Sequence, residues 1–190
     1  MLKQWVRGAK SLLEIGSRCG FTLYELAHEM EPGARIVSVD LPDAEGWNDE
    51  LSAAAIHYLR TNVQKLSTQG FDTHLIEGDS HTAEIREKVT ALAPFDVVFI
   101  DGDHSYEGVS QDWQDYGGLG KVVIFHDIRE PRPPEFMGLG VWRLWRDIKA
   151  FSQIKKEMPV EEYIAPGSKM GIGKLGKLGK LGQIESGQRI

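Results

Sequence analysis

Cysteine is nearly missing from this chain. Cys19 is the only one, so no internal disulfide can form and a cysteine-based metal cluster has no ligands to draw on. Long apolar runs are missing too. None approaches the roughly 20 residues that a membrane-spanning helix needs. Lys3, Arg7 and Lys10 near the start are not followed by the apolar stretch of a secretory signal. The expectation is a cytoplasmic protein with no membrane partner. Basic residues are in the minority: 22 Lys and Arg stand against 28 Asp and Glu, a formal net charge of -6. Nucleic-acid binding relies on clustered Lys and Arg against phosphate, so no nucleic-acid partner is expected. What is left is an ordinary globular composition, 41% hydrophobic and 26% charged, in 190 residues, enough for one domain and short of two.

The most informative stretch is FDVVFIDGDHSY, residues 95–106. Phe95, Val97, Val98, Phe99 and Ile100 make an apolar run rich in β-branched and aromatic residues, the pattern of a strand buried on both faces of a parallel sheet. The run stops at Asp101-Gly102-Asp103-His104. Three ionisable side chains in four residues serve no packing purpose directly after a buried strand. In open α/β sheets, ligands bind outside the carboxyl ends of the strands.

The rest of the chain repeats this arrangement. Residues 11–16 read as a buried strand after a brief arm. A turn bracketed by Gly16 and Gly20 follows, then a helix over 21–30 with Phe21, Leu23, Leu26, Ala27 and Met30 at helical spacing. Such a turn lets a ligand approach the backbone and the free N–H groups of the helix start. Residues 34–39 make a second strand ending on Asp40, about 20 residues past the turn, which suits a carboxylate that holds ribose hydroxyls. A long helix lies within 47–70, capped by Asn48 or Asp49, with Tyr58, Leu59 and Leu66 on its apolar stripe and His57 as an ordinary, partly buried histidine.

A third strand, 72–78, runs into Asp79-Ser80-His81, and a helix opens at Ser80 or His81. Two readings stand for Asp79 and Ser80, helix cap or ligand. A helix over 105–116 follows the fourth strand, and His104 is either its cap or a chemical group. The fifth strand, 121–125, ends in His126-Asp127. Residues 129–140 form a loop punctuated by proline and glycine, either a rim of the site or a connector. Trp142, Trp145 and Ile148 mark the core stripe of a helix over 141–151, and two last strands, 159–165 and 170–175, pair as an antiparallel hairpin around a turn at 166–168. Gly-Lys-Leu repeated over 173–182 reads as a flexible basic tail. Glu14, Asp40, Asp79, Asp101 and Asp127 thus lie at five strand ends. One such coincidence is cheap; five at the same edge of one sheet are not.

With these residues placed, the chain resembles the class I S-adenosylmethionine-dependent methyltransferases. More narrowly, it is similar to the small O-methyltransferases that include the cephalosporin-hydroxylase-like and macrolide or sugar O-methyltransferases. LLEIGSRCGFT, VSVD, EGDS, FDVVFIDGDHSYEGVSQDW and VVIFHD carry the resemblance, and GSKMGIGKL is similar to the hairpin that closes such domains. It implies an α/β fold with a Rossmann-like doubly wound sheet, mostly parallel, of seven strands with an antiparallel last strand. The domain would cover 1–175 and the tail 176–190. It further implies that Glu14, Gly16 and Ser17 sit against the methionine part of the cofactor, Asp40 holds the ribose, Asp79 and Ser80 meet the adenine, and Asp101 lies near the sulfonium. Some relatives bind magnesium at the fourth and fifth strand ends. Asp101 and Asp127 match those places, with His104 or His126 as an addition, which implies Mg2+ or another divalent cation. His104, beside Asp101, is the candidate general base, since imidazole titrates near neutral pH.

Two features depart from the family pattern. The fifth strand ends in His-Asp, where metal-dependent relatives offer two acidic or amide ligands. The segment before the first strand is short, which leaves either an open site or a cover supplied by a second copy in a homo-oligomer. The expected activity is methylation of a small hydroxylated molecule, a sugar, polyketide or phenol; Trp47, Tyr106, Trp113 and Phe136 read equally as an aromatic lining or as core or surface residues. A nicotinamide-dinucleotide oxidoreductase on the same architecture lacks Gly-x-Gly-x-x-Gly and an obvious Tyr/Lys pair for hydride transfer. A non-catalytic cofactor-binding protein is the third expectation, since fold does not imply function.

Overall fold

The apolar run at 95–100 is the centre of a seven-stranded sheet. The computed structural model describes residues 1–41, 50–130, 140–155, 159–164 and 171–176. Trp47, Asn48, Asp49, Phe136, most of the 129–140 loop, the turn at 166–168 and the tail beyond 176 lie outside the described residues. The elements run α1 (Leu2–Val6), β1 (Ser11–Ile15), α2 (Phe21–Ala27), β2 (Arg35–Asp40), α3 (Glu50–Thr68), β3 (Asp72–Glu77), α4 (Ala83–Thr90), β4 (Phe95–Ile100), α5 (Tyr106–Tyr116), a 3-10 turn (Gly117–Leu119), β5 (Gly120–Phe125), α6 (Val141–Lys155), β6 (Val160–Tyr163) and β7 (Ile172–Leu175).

The strand order is β3-β2-β1-β4-β5-β7-β6. The first five strands pair in parallel, and β7 pairs antiparallel with both β5 and β6. This is the expected doubly wound, mostly parallel sheet with a reversed last strand. Side chains alternate between two cores. Leu13, Val98, Ile100, Val123 and Phe125 pack on one face, and Leu12, Val97, Phe99 and Ile124 on the other. Both faces are covered, so β4 tolerates no polar residue between Val97 and Ile100.

The strand order reverses between β1 and β4, and there the ladder continues past the strand ends. Gly16 N donates to Val39 O (2.9 Å), Asp101 N to Ile15 O (2.9 Å), Gly78 N to Asp40 O (2.9 Å) and His126 N to Ile100 O (3.2 Å). These bonds hold the loops after all five parallel strands level along one edge.

Several local expectations are corrected. The brief arm is the helix α1, anchored by fully buried Val6 and by Trp5, whose Nε1 donates to Glu161 Oε2 at 3.0 Å. Five residues are too few to show a period in sequence. Thr82 caps α4, accepting from Ile85 N at 3.4 Å, so the helix begins later than expected and neither Asp79 nor Ser80 is its cap. Ser105, not His104, caps α5, its Oγ accepting from Gly108 N at 3.0 Å. His57 is exposed, and so are Phe21 and Tyr58, because helical spacing locates the middle of a stripe better than its width. Trp145 is buried, whereas Trp142 is half-buried beneath the guanidinium groups of Arg143 and Arg146.

Phe125 sits between Trp113 and Trp145, with ring centroids 5.6 and 5.7 Å away, and has no exposed surface. Phe125→Ala should cost about 3–5 kcal/mol of folding free energy, read from the shift in the urea denaturation midpoint.

Candidate active site

Gly16 turns the chain out of β1 with φ +84°, in the left-handed region that glycine occupies at no cost. A Cβ at this position would overlap the backbone of Asp101 and Gly102. The first loop is therefore pressed onto the end of β4, at the point where the strand order reverses. Gly20, also left-handed (φ +71°), starts α2 against the Leu59 side chain.

Asp40 closes the same loop from β2. Its carboxylate accepts from Arg18 N (2.5 Å), and the backbone N–H groups of Ser17 and Leu41 favour its ionised form. Burial raises its pKa despite these donors. Ser17 is buried too, its hydroxyl accepting from Ser38 Oγ at 2.8 Å.

Glu14 lies beneath this turn, 1% exposed, with its Oε2 buried and without a hydrogen-bond partner. Burial pushes its pKa up to about 8; the Ser17 hydroxyl opposes this, while Asp101 and Asp40 add to it. A carboxyl group in this state is neutral at pH 7 and ready to ionise beside a cation.

The ends of β4 and β5 meet in a four-residue cluster. His104 Nε2 lies 3.2 Å from Asp101 Oδ1, and its Nδ1 lies 3.3 Å from Asp127 Oδ2. His126 Nδ1 lies 3.3 Å from Asp101 Oδ1 and 3.1 Å from Asp127 Oδ1. The hydrogen bond with Asp101 holds the His104 pKa up against burial, and Asp127 adds to it. Burial alone would lower His126, but Asp127 beside it and Asp101 across from it outweigh that and raise it. Asp127 is pushed up by burial, yet His126 and His104 pull it below the usual carboxylate range. Asp127 is itself left-handed, at φ +55°.

The expected metal ligands Asp101, Asp127 and His126 are thus brought together, but each imidazole nitrogen in these contacts faces a carboxylate oxygen. His104 Nε2 and Asp101 Oδ1 are hydrogen-bonded, whereas His126 Nδ1 and Asp127 Oδ1 are buried without a hydrogen-bond partner. Among the described residues, no group of three or more His, Cys, Asp or Glu is arranged to hold a metal ion.

Asp79 and Ser80 are both at the same edge but face different ways. The Asp79 side chain is half exposed, its Oδ1 accepting from His81 N at 2.9 Å. Ser80 turns inward and donates to Asp112 Oδ1 at 2.8 Å. Of the expected aromatic lining, Tyr106 is exposed and Trp113 packs onto Phe125 in the core. Asp112 and Ser38 were not singled out from sequence. Asp112 lies three residues after Val109 and four before Tyr116, both buried, so an acid on the apolar side of α5 was the available signal.

A family model described as a methyltransferase domain matches residues 13–128, from β1 to just past β5, and so includes every strand-end residue described above. The chain belongs to the methyltransferase-domain family. Solved methyltransferase structures share its fold. The O-methyltransferase TomG from Streptomyces achromogenes, in complex with SAM, is 16% identical with a TM-score of 0.65, over 93% of this chain and 78% of that one. An O-methyltransferase from Bacillus cereus in complex with SAH is 17% identical with a TM-score of 0.63, over 93% and 79%. Cofactor-bound Rv0187 from MTB is 17% identical with a TM-score of 0.67, over 93% and 77%. No curated protein sequence matches the chain. Among the described residues, no helix of this methyltransferase is long and apolar enough to cross a membrane.

Glu14 yields a pH prediction. Its folded-state pKa is raised, so the folded protein holds the proton more tightly than the unfolded chain. Its stabilising contribution is present below about 4.5 and is lost as pH rises towards about 8. In thermal scans of the ligand-free protein, Glu14→Gln should match the wild type at pH 5 and melt higher than it at pH 9. A melting difference independent of pH would contradict this titration.

Proposed function

We propose that this methyltransferase uses S-adenosylmethionine to methylate a hydroxyl group of a small molecule, in the class of sugars, polyketides and phenols. The observation that carries the reading is the glycine turn pressed onto Asp101 over a buried carboxyl oxygen of Glu14 that has no partner. The close approach brings the two strand-end loops together beside that oxygen, and an unpartnered carboxyl oxygen suits a cationic ligand. The cofactor bears two cationic groups, an ammonium and a sulfonium. The complexes of TomG with SAM and of the Bacillus cereus enzyme with SAH are in keeping with this choice.

In this reading Glu14, Gly16 and Ser17 hold the methionine part, and Asp40, already stapled to the turn, holds the ribose hydroxyls. Asp79 offers its half-exposed carboxylate to the adenine, and Ser80 shapes that pocket from its inward position. When bound, S-adenosylmethionine supplies an electrophilic methyl group. Asp101 and His104 manage the proton. The Asp101 side chain is 23% exposed and that of Asp127 9%, so His104 Nε2 is on the more open side. The neutral ring, protonated at Nδ1 towards Asp127, takes the acceptor's hydroxyl proton at Nε2 as the hydroxyl displaces the Asp101 contact there, and Asp101 and Asp127 stabilise the imidazolium that results. No step is routed through a divalent cation.

Calorimetry with S-adenosylhomocysteine should show binding, weakened about tenfold or more in Asp40→Ala through loss of charge-assisted hydrogen bonds. No binding at high micromolar concentration, or an unchanged affinity in Asp40→Ala, sinks the reading.

A labelled methyl donor and a panel of hydroxylated sugars, phenols and polyketides would identify the acceptor. On it, His104→Gln should lower kcat about 10²–10⁴-fold, the usual worth of a general base, and EDTA should leave turnover unchanged.

A further inference from the structure

Asp112 has no exposed surface, yet it is an acid on a helix that the proton chemistry does not use. Its Oδ1 accepts from Ser80 Oγ at 2.8 Å and lies 3.2 Å from His81 Nε2. Its Oδ2 is buried and without a hydrogen-bond partner. That oxygen lies directly under Gly102, 3.3 Å from where a Cβ on that glycine would stand. Two neighbours on α5 grip the same loop: Gln111 Nε2 donates to His81 O at 3.3 Å, and the Tyr116 hydroxyl donates to Ser80 O. Burial drives the Asp112 carboxyl up to about 6, the Ser80 hydroxyl and His81 oppose this, and Asp103 and Asp115 add to it.

A charge placed at this cost contributes little to folding; replacing buried charge with a neutral group of similar volume is often neutral or stabilising. What the carboxylate does is geometric. It accepts from Ser80 and lies beside His81 in the loop after β3, and its Oδ2 fills the space where a Gly102 side chain would stand in the loop after β4, while it sits on the helix that follows the second loop. We infer that Asp112 is a positioning residue for the cofactor, holding these two loops at one fixed spacing. The inference rests on the methyltransferase reading, in which the first loop meets the adenine and the second the reacting end.

The test is Asp112→Asn in the full chain, which keeps the shape and removes the charge. Its S-adenosylhomocysteine dissociation constant should rise about tenfold, the worth of one charge-assisted hydrogen bond. The KM for S-adenosylmethionine should rise in parallel, with kcat at saturating cofactor within about twofold of the wild type. Its melting temperature should equal or exceed that of the wild type. Tyr116→Phe, which removes only the hydroxyl that bonds Ser80 O, should weaken cofactor binding in the same direction if Asp112→Asn fails to fold. Wild-type affinity in a folded Asp112→Asn, or in Tyr116→Phe where that variant stands in for it, overturns the inference and leaves the function standing. A fall in melting temperature with unchanged KM makes the role structural and overturns it as well. Failure of the wild type to bind S-adenosylhomocysteine overturns the methyltransferase reading and this inference with it.

Discussion

The contact on which the site depends is that between Gly16 and the backbone of Asp101. It joins the loop after β1 to the loop after β4 at the one place in the sheet where neighbouring strands lead their chains in opposite directions. A methyl group on Gly16 would force these loops apart, and with them the bond from Asp101 N to Ile15 O that keeps the two strand ends level. Glu14 is buried because this contact seals it from above. Asp101 points at His104 and His126 because its backbone is held from the β1 side. Binding pocket and proton site are two faces of a single close approach.

Such convergence has an electrostatic cost, since Glu14, Asp40, Asp101 and Asp127 all lie along one edge. Like charges this close cannot all ionise freely. Each is relieved in its own way. Asp40 accepts from Arg18 N, and the backbone N–H groups of Ser17 and Leu41 ease its charge. Asp101 and Asp127 share two imidazoles. Glu14 has only the Ser17 hydroxyl and answers burial by keeping its proton. At Glu14 an arriving cation would find a carboxyl group that gains by ionising.

The fold was largely legible because its signals are regional. The run at Phe95–Ile100 must be buried on both faces, and an acid that follows such a run must lie at a strand end. The hairpin of β6 and β7 was readable from the Pro166-Gly167-Ser168 turn between two strand-like runs. What sequence could not supply was orientation. Asp79 and Ser80 are adjacent, yet one faces outward and the other inward, because Thr82 rather than either of them starts α4 and the intervening turn rotates Ser80 towards α5. Similarly, Asp101, His104, His126 and Asp127 were each placed at the site, but whether they converge on an ion or pair with one another depends on ångström-scale directions. Exposed Phe21 and Tyr58 show the same limit on helices.

Helix α5 explains why these directions are so well determined. Ser105 caps it, Asp103 Oδ1 accepts from Ser105 N at 2.8 Å, and Gly108 lacks a side chain where the Asp103 carboxylate packs. Every residue from Asp101 to Ser105 is therefore tied either to the sheet, to the helix or to the cluster. His104 does not have to be recruited to its place by a substrate, which is what a base positioned in advance requires. The body of the same helix carries Asp112 to the loop after β3. One element thereby fixes both the group that takes the proton and the loop at the far side of the pocket, so a displacement of α5 would be felt at both ends of the site together.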